Sequence, residues 1–358
     1  MNKEYPKPLA FDPRSSDNDT RDACEKYKIK KSNLNADLFE VLLRRTDINP
    51  ALQASLVRGW REGLNLGSKL PETDHLVECP RMQKEQKDVL RSSIEKEAKL
   101  GRLSGPWAKP LKDGRWFKNA WVSPYFVIPK KTAPGAPTRW RLIHHLSFHK
   151  SGLRKLSLNG RIDMNEFPIC FPTHMTGAHL IFCKSPTGSA VFSRDIRDFY
   201  RNFLLNPYSW WQTYSKALGS YWFNPYMPFG GSSCTSLAQR QSDAVISIAK
   251  VTVPQEGSNN RVKEYLPVER VGAKLVAMLD DFLAVVPRKP SDSDEQLLKW
   301  AESCTVRFDD LLHKPGLPKA AEKDQDPGFS VVWFGVGSAL SPQHSACPRR
   351  IGRINYFM

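Results

Sequence analysis

The stretch KLVAMLDDFLAVV, residues 274–286, places two neighbouring aspartates between two apolar runs. The flanking runs KLVAM and FLAVV are rich in residues that favour strands, whereas an Asp pair is typical of a turn. The pattern therefore predicts a β-hairpin that carries Asp280 and Asp281 at its tip. A plain solvated turn is the alternative for such a pair, so the rest of the chain must decide whether the two carboxylates have a chemical role.

A third carboxylate follows another apolar run. The segment SAVFSRD, residues 189–195, predicts a strand that ends at Asp195. If this strand neighbours the hairpin in one sheet, the three aspartates converge and can hold two Mg²⁺ ions, because hard cations take oxygen ligands. Two ions about 4 Å apart can together stabilise the charges that develop on an attacking and on a departing oxygen. The alternative is that Asp195 only caps a following helix.

Lysine and arginine outnumber the acidic residues, with 53 against 37 among 358 residues and a formal net charge of +16. The excess is concentrated in residues 99–155, where thirteen Lys or Arg residues accompany one acidic residue, Asp113. A solvated basic face is one interpretation of this segment, and a nucleic-acid-binding surface is the other. Interleaved aromatic residues favour the second, because rings stack on bases while cations hold phosphates. These aromatic residues are Trp107, Trp116, Phe117, Trp121, Tyr125, Phe126 and Trp140.

Hydrophobic periodicity and turn residues predict a mixture of helices and strands. The polar, proline-containing residues 1–30 have the composition of a flexible tail. Two strands, WVSPYFVIP at 121–129 and RWRLIHHL at 139–146, predict a basic hairpin, and residues 253–267 are expected to form an exposed loop. The alternation with helices is that of an α+β protein. Helices are expected at residues 37–43, 51–64, 86–100, 233–250 and 294–312.

Cysteine usage and hydropathy bear on the compartment. The seven cysteines are scattered and form no C-x-x-C pair, which argues against a zinc ribbon and against a secreted disulfide framework. The N-terminal residues contain no apolar leader, and no apolar stretch reaches the length of a membrane span. We therefore expect an intracellular protein, in the cytoplasm or the nucleus, with no membrane partner. The sequence does not indicate an oligomeric state.

Seven segments occur in the order and at the spacing of the motifs of reverse transcriptases, which they resemble. They are SPYFVIPKK (123–131), RWRLIHHLS (139–147), FSRDIRDFYRNFLLNP (192–207), YMPFGGSSCTSLAQ (226–239), MLDDFLAV (278–285), LPKAAEKD (317–324) and VVWFGVG (331–337). The segments GRLSGPW (101–107), SLNGRID (157–163) and PFG (228–230) are most similar to retrotransposon enzymes of the DIRS type. The resemblance covers about residues 85–340.

This resemblance implies a right-hand polymerase fold, the fingers and palm of a reverse transcriptase, with an N-terminal helical extension. The helical extension is expected at residues 31–98 and the fingers at 99–185. The palm, with the metal site and the primer grip, is expected at 186–340. Residues 341–358 are then the start of a truncated thumb without an RNase H domain, which would limit processive synthesis.

The resemblance also implies a two-metal site. Asp195, Asp280 and Asp281 match the catalytic, metal-binding aspartates, and the main-chain oxygen of Ile196 matches a further ligand beside the nucleotide. The expected cofactor is a pair of Mg²⁺ ions, for which Mn²⁺ can substitute. Lys323 matches a lysine of the family, and the resemblance implies that it donates a proton to pyrophosphate, a role that suits a positioned lysine.

Other motif positions imply contacts with the nucleotide and the primer. Lys130 and Arg141 match residues that grip the triphosphate, since Lys offers a mobile charge and Arg a planar fork. Tyr200 matches the steric gate against a ribose 2′-hydroxyl, and Gly230 would let backbone approach the nucleotide and the template. Surface charge, core packing and a tight turn are the ordinary alternatives for these residues. The expected primer-contacting residues are Trp333, Phe334 and Gly335, for which a buried strand is the alternative.

The expected function is that of an RNA-directed DNA polymerase of a retrotransposon, a nucleotidyltransferase that adds dNTPs to a primer on an RNA or DNA template. Two positions depart from the family pattern: Met278 stands where many relatives carry Tyr, and Phe199 stands where a small Ala is usual. One alternative is a truncated retroelement remnant that binds nucleic acid without efficient catalysis. A second, an RNA-templated RNA polymerase, is opposed by Tyr200.

Overall fold

Helices and strands are mixed along the chain, which confirms the α and β content predicted from the sequence. The structure, a computed structural model, describes residues 8, 11–129, 138, 140–169, 171–183, 187–251, 253–254, 264–265, 273–333 and 336–339. Most of the predicted loop at 253–267 and the predicted thumb segment at 341–358 lie outside the described residues.

Five of the described α-helices agree with those expected from the sequence, and two more, Asp17–Lys26 and His174–Ala178, were not expected. The α-helices are α1 (Asp17–Lys26), α2 (Ala36–Leu43), α3 (Pro50–Glu62), α4 (Lys84–Lys99), α5 (His174–Ala178), α6 (Cys234–Ala249) and α7 (Asp294–His313). Short 3-10 helices span Arg154–Leu156, Asn159–Arg161, Met164–Glu166, Phe199–Asn202 and Pro207–Gln212, and a π-helical turn spans His179–Cys183.

The strands are mostly short and pair in antiparallel fashion. They are β1 (Ser104–Trp107), β2 (Tyr125–Pro129), β3 (Trp140–His144), β4 (Ser189–Asp195), β5 (Tyr214–Ala217), β6 (Ser220–Phe223), β7 (Val253–Pro254), β8 (Glu264–Tyr265), β9 (Lys274–Met278), β10 (Asp281–Pro287), β11 (Gln325–Gly328), β12 (Ser330–Trp333) and β13 (Val336–Ala339). The predicted hairpins of β2 with β3 and of β9 with β10 are both confirmed.

The chain forms two compact units, each assembled from three separate segments. Unit 1 comprises Met1–Asn33, Ala54–Pro168 and Tyr200–Leu237, and unit 2 comprises Leu34–Gln53, Ile169–Phe199 and Ala238–Met358. The sequence predicted consecutive divisions instead, with fingers followed by palm. The assignment of these names to the two units therefore stays a prediction.

Unit 2 is built on a four-stranded antiparallel sheet with the strand order β11-β4-β10-β9. Helix α7 packs against β4, β10 and β11, and its Phe308 ring lies 5.4 Å from that of Phe282 on β10. Because side chains alternate along a strand, the neighbours of Phe282 point to the opposite face. There Leu283 packs with Val191 and Trp333 in a second buried cluster. The sheet is thus covered on both faces.

Unit 1 combines the three-stranded sheet β1-β6-β5 with the β2–β3 hairpin. Helix α4 packs on the hairpin, and its Leu90 and Ile94 join Tyr125 and Val127 in one buried cluster. The β5–β6 hairpin was not predicted. Its two-residue turn places Leu218 at φ 55° and the next residue, a glycine, at φ 79°, a conformation usually signalled by Asn-Gly.

The prediction of a flexible tail at residues 1–30 is wrong for residues 11–30, which the structure describes and which include helix α1. Ser16 accepts a hydrogen bond from the Asp19 backbone N–H and caps α1. Beyond the helix, the ring of Tyr27 contacts five aromatic rings at centroid distances of 5.2–6.4 Å. Burial of these few apolar side chains offsets the entropy cost of ordering the segment. The average composition of the segment did not indicate this burial.

The turn between β9 and β10 is fixed by side chains of α6. Leu279 has φ 57°, a left-handed conformation that costs a non-glycine residue about 1–2 kcal/mol. Gln239 accepts a hydrogen bond from the Leu279 backbone N–H (2.9 Å) and donates one to the Ala277 carbonyl (3.0 Å). The Ser242 hydroxyl donates to the Leu279 carbonyl. Three hydrogen bonds therefore hold the turn that carries the two neighbouring aspartates.

Replacing Gln239 with Ala leaves a part-buried N–H and a buried C=O without these bonds. We expect the free energy of unfolding to fall by about 2–3 kcal/mol, because unsatisfied buried polar groups lose their solvation without compensation. Urea denaturation followed by circular dichroism measures this loss. Gln296→Ala is the matched control, because Gln296 also bonds to backbone but on the exposed first turn of α7, and it should cost no more than about 1 kcal/mol. Equal losses in both variants would contradict the assignment.

Strand β3 ends at a buried histidine, His144. Its ring Nε2 lies 3.3 Å from the Tyr214 carbonyl oxygen, and its backbone N–H donates to the Phe229 carbonyl at 3.2 Å. Burial lowers the pKa of His144 from 6.5 to about 4. The folded protein therefore keeps this ring neutral in a pH range where the unfolded chain protonates it.

Stability should fall as the pH is lowered from above 6.5 to about 4, because the unfolded state binds the His144 proton first. The shift corresponds to about 3 kcal/mol across that window. His144→Gln cannot titrate and should remove this part of the pH dependence. Denaturant unfolding of both proteins at successive pH values tests it, and an unchanged slope in the variant would count against a neutral buried His144.

Candidate active site

The three aspartates predicted to act together lie at one end of the unit 2 sheet. Asp195 is the last residue of β4 and is the register partner of Asp281, the first residue of β10. Asp280 lies in the β9–β10 turn, and its carbonyl accepts a hydrogen bond from the Ile196 backbone N–H at 2.9 Å. The strands that carry these residues are therefore neighbours, which was the condition for their convergence.

Lys323 forms an ion pair with Asp195. Its Nζ lies 3.0 Å from both carboxylate oxygens. The segment that carries Lys323 is joined to the end of β4 by backbone hydrogen bonds, from Ala320 N–H to the Asp195 carbonyl and from Arg197 N–H to the Pro318 carbonyl, both 2.8 Å. The sequence assigned Lys323 to the site by resemblance alone, and the structure brings it into direct contact with Asp195.

Burial and charge both act on the ionisation of these groups. Burial raises the pKa of the Asp195 carboxyl above its ordinary value, and the bond to Lys323 offsets part of the rise. Burial also raises the pKa of Asp280, and the nearby negative charge of Asp195 adds to it. Desolvation opposes the charge of Lys323, but the bond and charge of Asp195 outweigh it and the pKa of Lys323 is raised. The site therefore favours a bound cation.

A buried arginine supports the end of β4 from the opposite face of the sheet. The Arg194 side chain is only 3% exposed, and its Nε lies 2.8 Å from Asp309 on α7 and 3.6 Å from Asp324. Asp324 in turn accepts a hydrogen bond from the Asp195 backbone N–H at 3.2 Å. Lys319 is a second cation of this network, 2.6 Å from Asp309. These contacts fix the backbone from which the Asp195 carboxylate projects.

The donor set suits a divalent metal ion, although it is not assembled as the sequence predicted. Within the described residues, no three His, Cys, Asp or Glu side chains are grouped so that they could bind a metal together. The ammonium of Lys323 instead holds both oxygens of Asp195. Asp195 and Asp280 nevertheless supply half-buried carboxylates of the class that Mg²⁺ prefers, and Lys323 marks a place where positive charge is stabilised.

Several residues were predicted to contact the nucleotide. Those that the structure describes belong to unit 1, with the exception of Ile196. The half-buried Tyr200 ring lies 5.0 Å from that of Phe229, centroid to centroid. Gly230 has φ 120°, and a Cβ there would lie 2.2 Å from the His144 carbonyl oxygen. Glycine is therefore required by the neighbouring strand, whether or not a nucleotide also approaches. Arg141 lies exposed on β3, opposite Ile128.

The predicted primer-contacting residues are described only in part. Trp333 is 5% exposed and packs in the core of unit 2, where its indole N–H donates to the Asp281 carbonyl at 3.4 Å. This burial agrees with the alternative that Trp333 is a core residue of a strand. Phe334, Gly335 and the triphosphate-binding candidate Lys130 lie outside the described residues.

Sequence reasoning missed the buried polar residues that hold the site. Arg194 was included in an apolar run, yet a charged residue within such a run requires buried acidic partners and could have signalled the network. Gln239 belongs to the quoted segment 226–239, but nothing in a single sequence marks a glutamine that bonds to a turn forty residues away. Asn159, in the quoted segment SLNGRID, was likewise given no role.

Among the described residues, no helix has both the length and the apolar character needed to cross a bilayer.

Comparison with known proteins gives structural matches alone. No protein-family model matches the sequence, and no curated protein matches it. The protease–reverse transcriptase of prototype foamy virus matches with a TM-score of 0.47 and 13% identity, over 91% of this chain and 36% of that chain.

Two complexes of the foamy viral protein match at a similar level. The protease–reverse transcriptase dRH with double-stranded DNA has a TM-score of 0.45 and 13% identity, over 88% of this chain and 48% of that chain. The protease–reverse transcriptase with double-stranded DNA has a TM-score of 0.45 and 13% identity, over 86% of this chain and 55% of that chain. This chain thus spans between about a third and about a half of the length of the solved chains.

Proposed function

We propose that this chain is an RNA-directed DNA polymerase of a retroelement, which adds dNTPs to a primer on a nucleic-acid template. The observation that carries the proposal is the pairing of Asp195 with Asp281 at the end of two neighbouring strands, beside the turn that contains Asp280. Carboxylates gathered at one end of a sheet, with burial opposing the ionisation of Asp195 and Asp280, are suited to metal ions rather than to structural support. The seven ordered motifs support the same function, with a right-hand polymerase fold.

In this proposal, unit 2 carries out the phosphoryl transfer. Asp195, Asp280 and Asp281, with the main-chain oxygen of Ile196, would hold two Mg²⁺ ions, for which Mn²⁺ can substitute. When bound, the ions would stabilise the primer alkoxide and the departing pyrophosphate. Gln239 and the network around Arg194 keep the carboxylates in place.

Lys323 has two roles in the proposal. Its ammonium neutralises Asp195 by contacting both carboxylate oxygens, and a divalent cation would compete with it for these oxygens. Once released from Asp195, the ammonium is available to donate a proton to the leaving pyrophosphate. The raised pKa in the ion pair means that Lys323 is a weaker acid before that release than after it.

Other motif positions would select and bind the nucleotide. Tyr200 would act as the steric gate against a ribose 2′-hydroxyl, and the exposed Arg141, together with Lys130, would hold the triphosphate through charge and hydrogen bonds. The basic residues of segment 99–155, with the half-buried rings of Trp107, Phe126 and Trp140, would hold the template. The other aromatic residues predicted to stack on bases are buried and are therefore core residues: Trp116, Phe117, Trp121 and Tyr125.

A nucleic-acid-binding remnant is the second candidate. The Lys323–Asp195 ion pair favours it, because a carboxylate that is already neutralised has less affinity for metal. In that case the basic segment still binds template, but no nucleotide is incorporated. The two candidates therefore differ in chemistry and not in binding.

Primer extension on an oligo(dT)-primed RNA template with Mg²⁺ or Mn²⁺ tests the proposal. We expect the intact chain to extend the primer and the Asp280→Asn, Asp281→Asn double variant to lose about a thousandfold or more of that rate, since metal charge stabilisation amounts to several kcal/mol. Template binding should survive in the double variant, because its basic segment is unchanged.

Asp310→Asn is the matched control, because Asp310 is an exposed aspartate of α7 that pairs with Lys314 outside the site. It should extend the primer as the intact chain does. If neither the intact chain nor the double variant extends the primer while both bind template, the remnant is the correct interpretation.

Tyr200→Ala should raise the use of ribonucleotides relative to deoxynucleotides by about tenfold or more, because it removes the wall beside the 2′-hydroxyl. Single-nucleotide incorporation with dTTP and UTP measures the ratio. Tyr221→Ala, at a half-buried tyrosine of β6 in the same unit, is the control and should leave the ratio unchanged. Preference of the unaltered chain for UTP would instead support an RNA polymerase.

A further inference from the structure

The loop at residues 228–232, PFGGS, presents an aromatic pair and an exposed backbone. Phe229 is 45% exposed, and its ring contacts Tyr200. Gly230 is exposed as well. A loop with two adjacent glycines has many accessible conformations, so its observed one must be held by surrounding groups.

Strand β3 holds one side of this loop. The His144 backbone N–H donates to the Phe229 carbonyl at 3.2 Å, and the His144 carbonyl oxygen lies 2.2 Å from the position that a Cβ of Gly230 would take. These contacts hold one side of the loop but leave the Gly230 carbonyl and the Ser232 N–H to be satisfied elsewhere.

Asn159 satisfies them with its side-chain amide. Its Nδ2 donates to the Gly230 carbonyl at 2.7 Å and to the Ser147 hydroxyl at 2.9 Å, while its Oδ1 accepts from the Ser232 backbone N–H at 2.9 Å. The residue is 8% exposed, and its own backbone N–H donates to the Leu146 carbonyl at 3.0 Å. One buried carboxamide therefore bonds to two backbone groups of the loop.

Only a carboxamide can make the bonds that Asn159 makes to the Gly230 carbonyl and the Ser232 N–H. A carboxamide supplies donors and an acceptor at its end, whereas Asp supplies acceptors alone and Leu neither. The reverse orientation of the amide would place two acceptors, Oδ1 and the Gly230 carbonyl, against each other, so the network fixes the orientation.

We propose that Asn159 is a positioning residue for selection of the nucleotide sugar. By holding the 228–232 loop, it sets the place of Phe229, and Phe229 supports the ring of Tyr200. The distinction between deoxyribonucleoside and ribonucleoside triphosphates then depends on a residue that touches neither sugar. This inference rests on the proposed function, in which Tyr200 is the gate.

Hydrogen exchange of the full chain without nucleotide tests the hold on the loop independently of activity. In Asn159→Ala, the Ser232 amide should exchange about tenfold faster or more, because it loses its acceptor. In Asn159→Asp, the acceptor is kept, so Ser232 should stay protected while the bond to the Gly230 carbonyl is lost. If exchange at Ser232 is the same in Asn159→Ala as in the unaltered chain, the inference is wrong.

Asn206 provides a matched control within unit 1. It is 1% exposed, and its amide also makes three bonds, donating to the Ser15 hydroxyl and the Glu62 carbonyl and accepting from the Tyr208 N–H. Asn206→Asp and Asn206→Ala should disturb the fold to a similar degree and leave the Ser232 amide protected. Loss of that protection in the Asn206 variants would show a general loosening rather than a specific hold.

Incorporation of dTTP and UTP tests the consequence for selection. Asn159→Asp should reduce the ratio of kcat/KM values for dTTP over UTP about tenfold, mainly through KM, which corresponds to about 1.4 kcal/mol. Phe229→Ala should give a similar loss, and the two changes together should be less than additive, because they act through one contact. Asn206→Asp should leave the ratio unchanged.

If Asn159→Asp lowers kcat/KM for dTTP and for UTP by the same factor, Asn159 has no role in sugar selection. If the unaltered chain incorporates no nucleotide, the proposed function fails, and the role in selection fails with it. The exchange measurement still decides in that case whether Asn159 fixes the loop, so the two failures are distinguishable.

Discussion

Burial of like charges beside one another is the constraint on which the organisation of unit 2 depends. The register of β4 and β10 places Asp195 next to Asp281, and burial raises the pKa of both Asp195 and Asp280. Such an arrangement is stable only where positive charge is supplied close by. Lys323 supplies it on the carboxylate side, and the buried Arg194 organises the backbone from the other face. The acidic end of the sheet and its basic surroundings are therefore one structural feature.

The parts of the fold that follow local rules could be predicted from the sequence. The hairpin around Asp280 follows from two apolar runs and a polar tip, and the helices follow from their hydrophobic spacing. Helix α1 and the β5–β6 hairpin could not be predicted in the same way. The first depends on the aromatic contacts of Tyr27 with distant rings, and the second has Leu218 where Asn is the usual signal. In both, tertiary packing outweighs local composition.

For the site, the sequence placed the residues that carry charge and missed those that hold them. Asp195 and Lys323 stand out through motif order, and the structure brings them into contact. The role of Gly230 was assigned to a nucleotide, but its missing Cβ is already explained by the His144 carbonyl. Trp333 was assigned to a primer, but it is buried. A motif position can therefore satisfy a packing requirement of its own, which a sequence pattern does not distinguish from a substrate contact.

The two loops with assigned chemistry are held in the same manner, each by a buried carboxamide. Gln239 bonds to the backbone around Leu279, and Asn159 bonds to Gly230 and Ser232. A carboxamide can satisfy a carbonyl and an N–H at once, and it carries no charge at any pH where the protein is folded. A carboxylate or an ammonium in its place would put a charge beside the loop that it holds. The two carboxamides thus fix the loop geometry without adding charge, and the charges of unit 2 come from residues such as Asp195, Asp280 and Lys323.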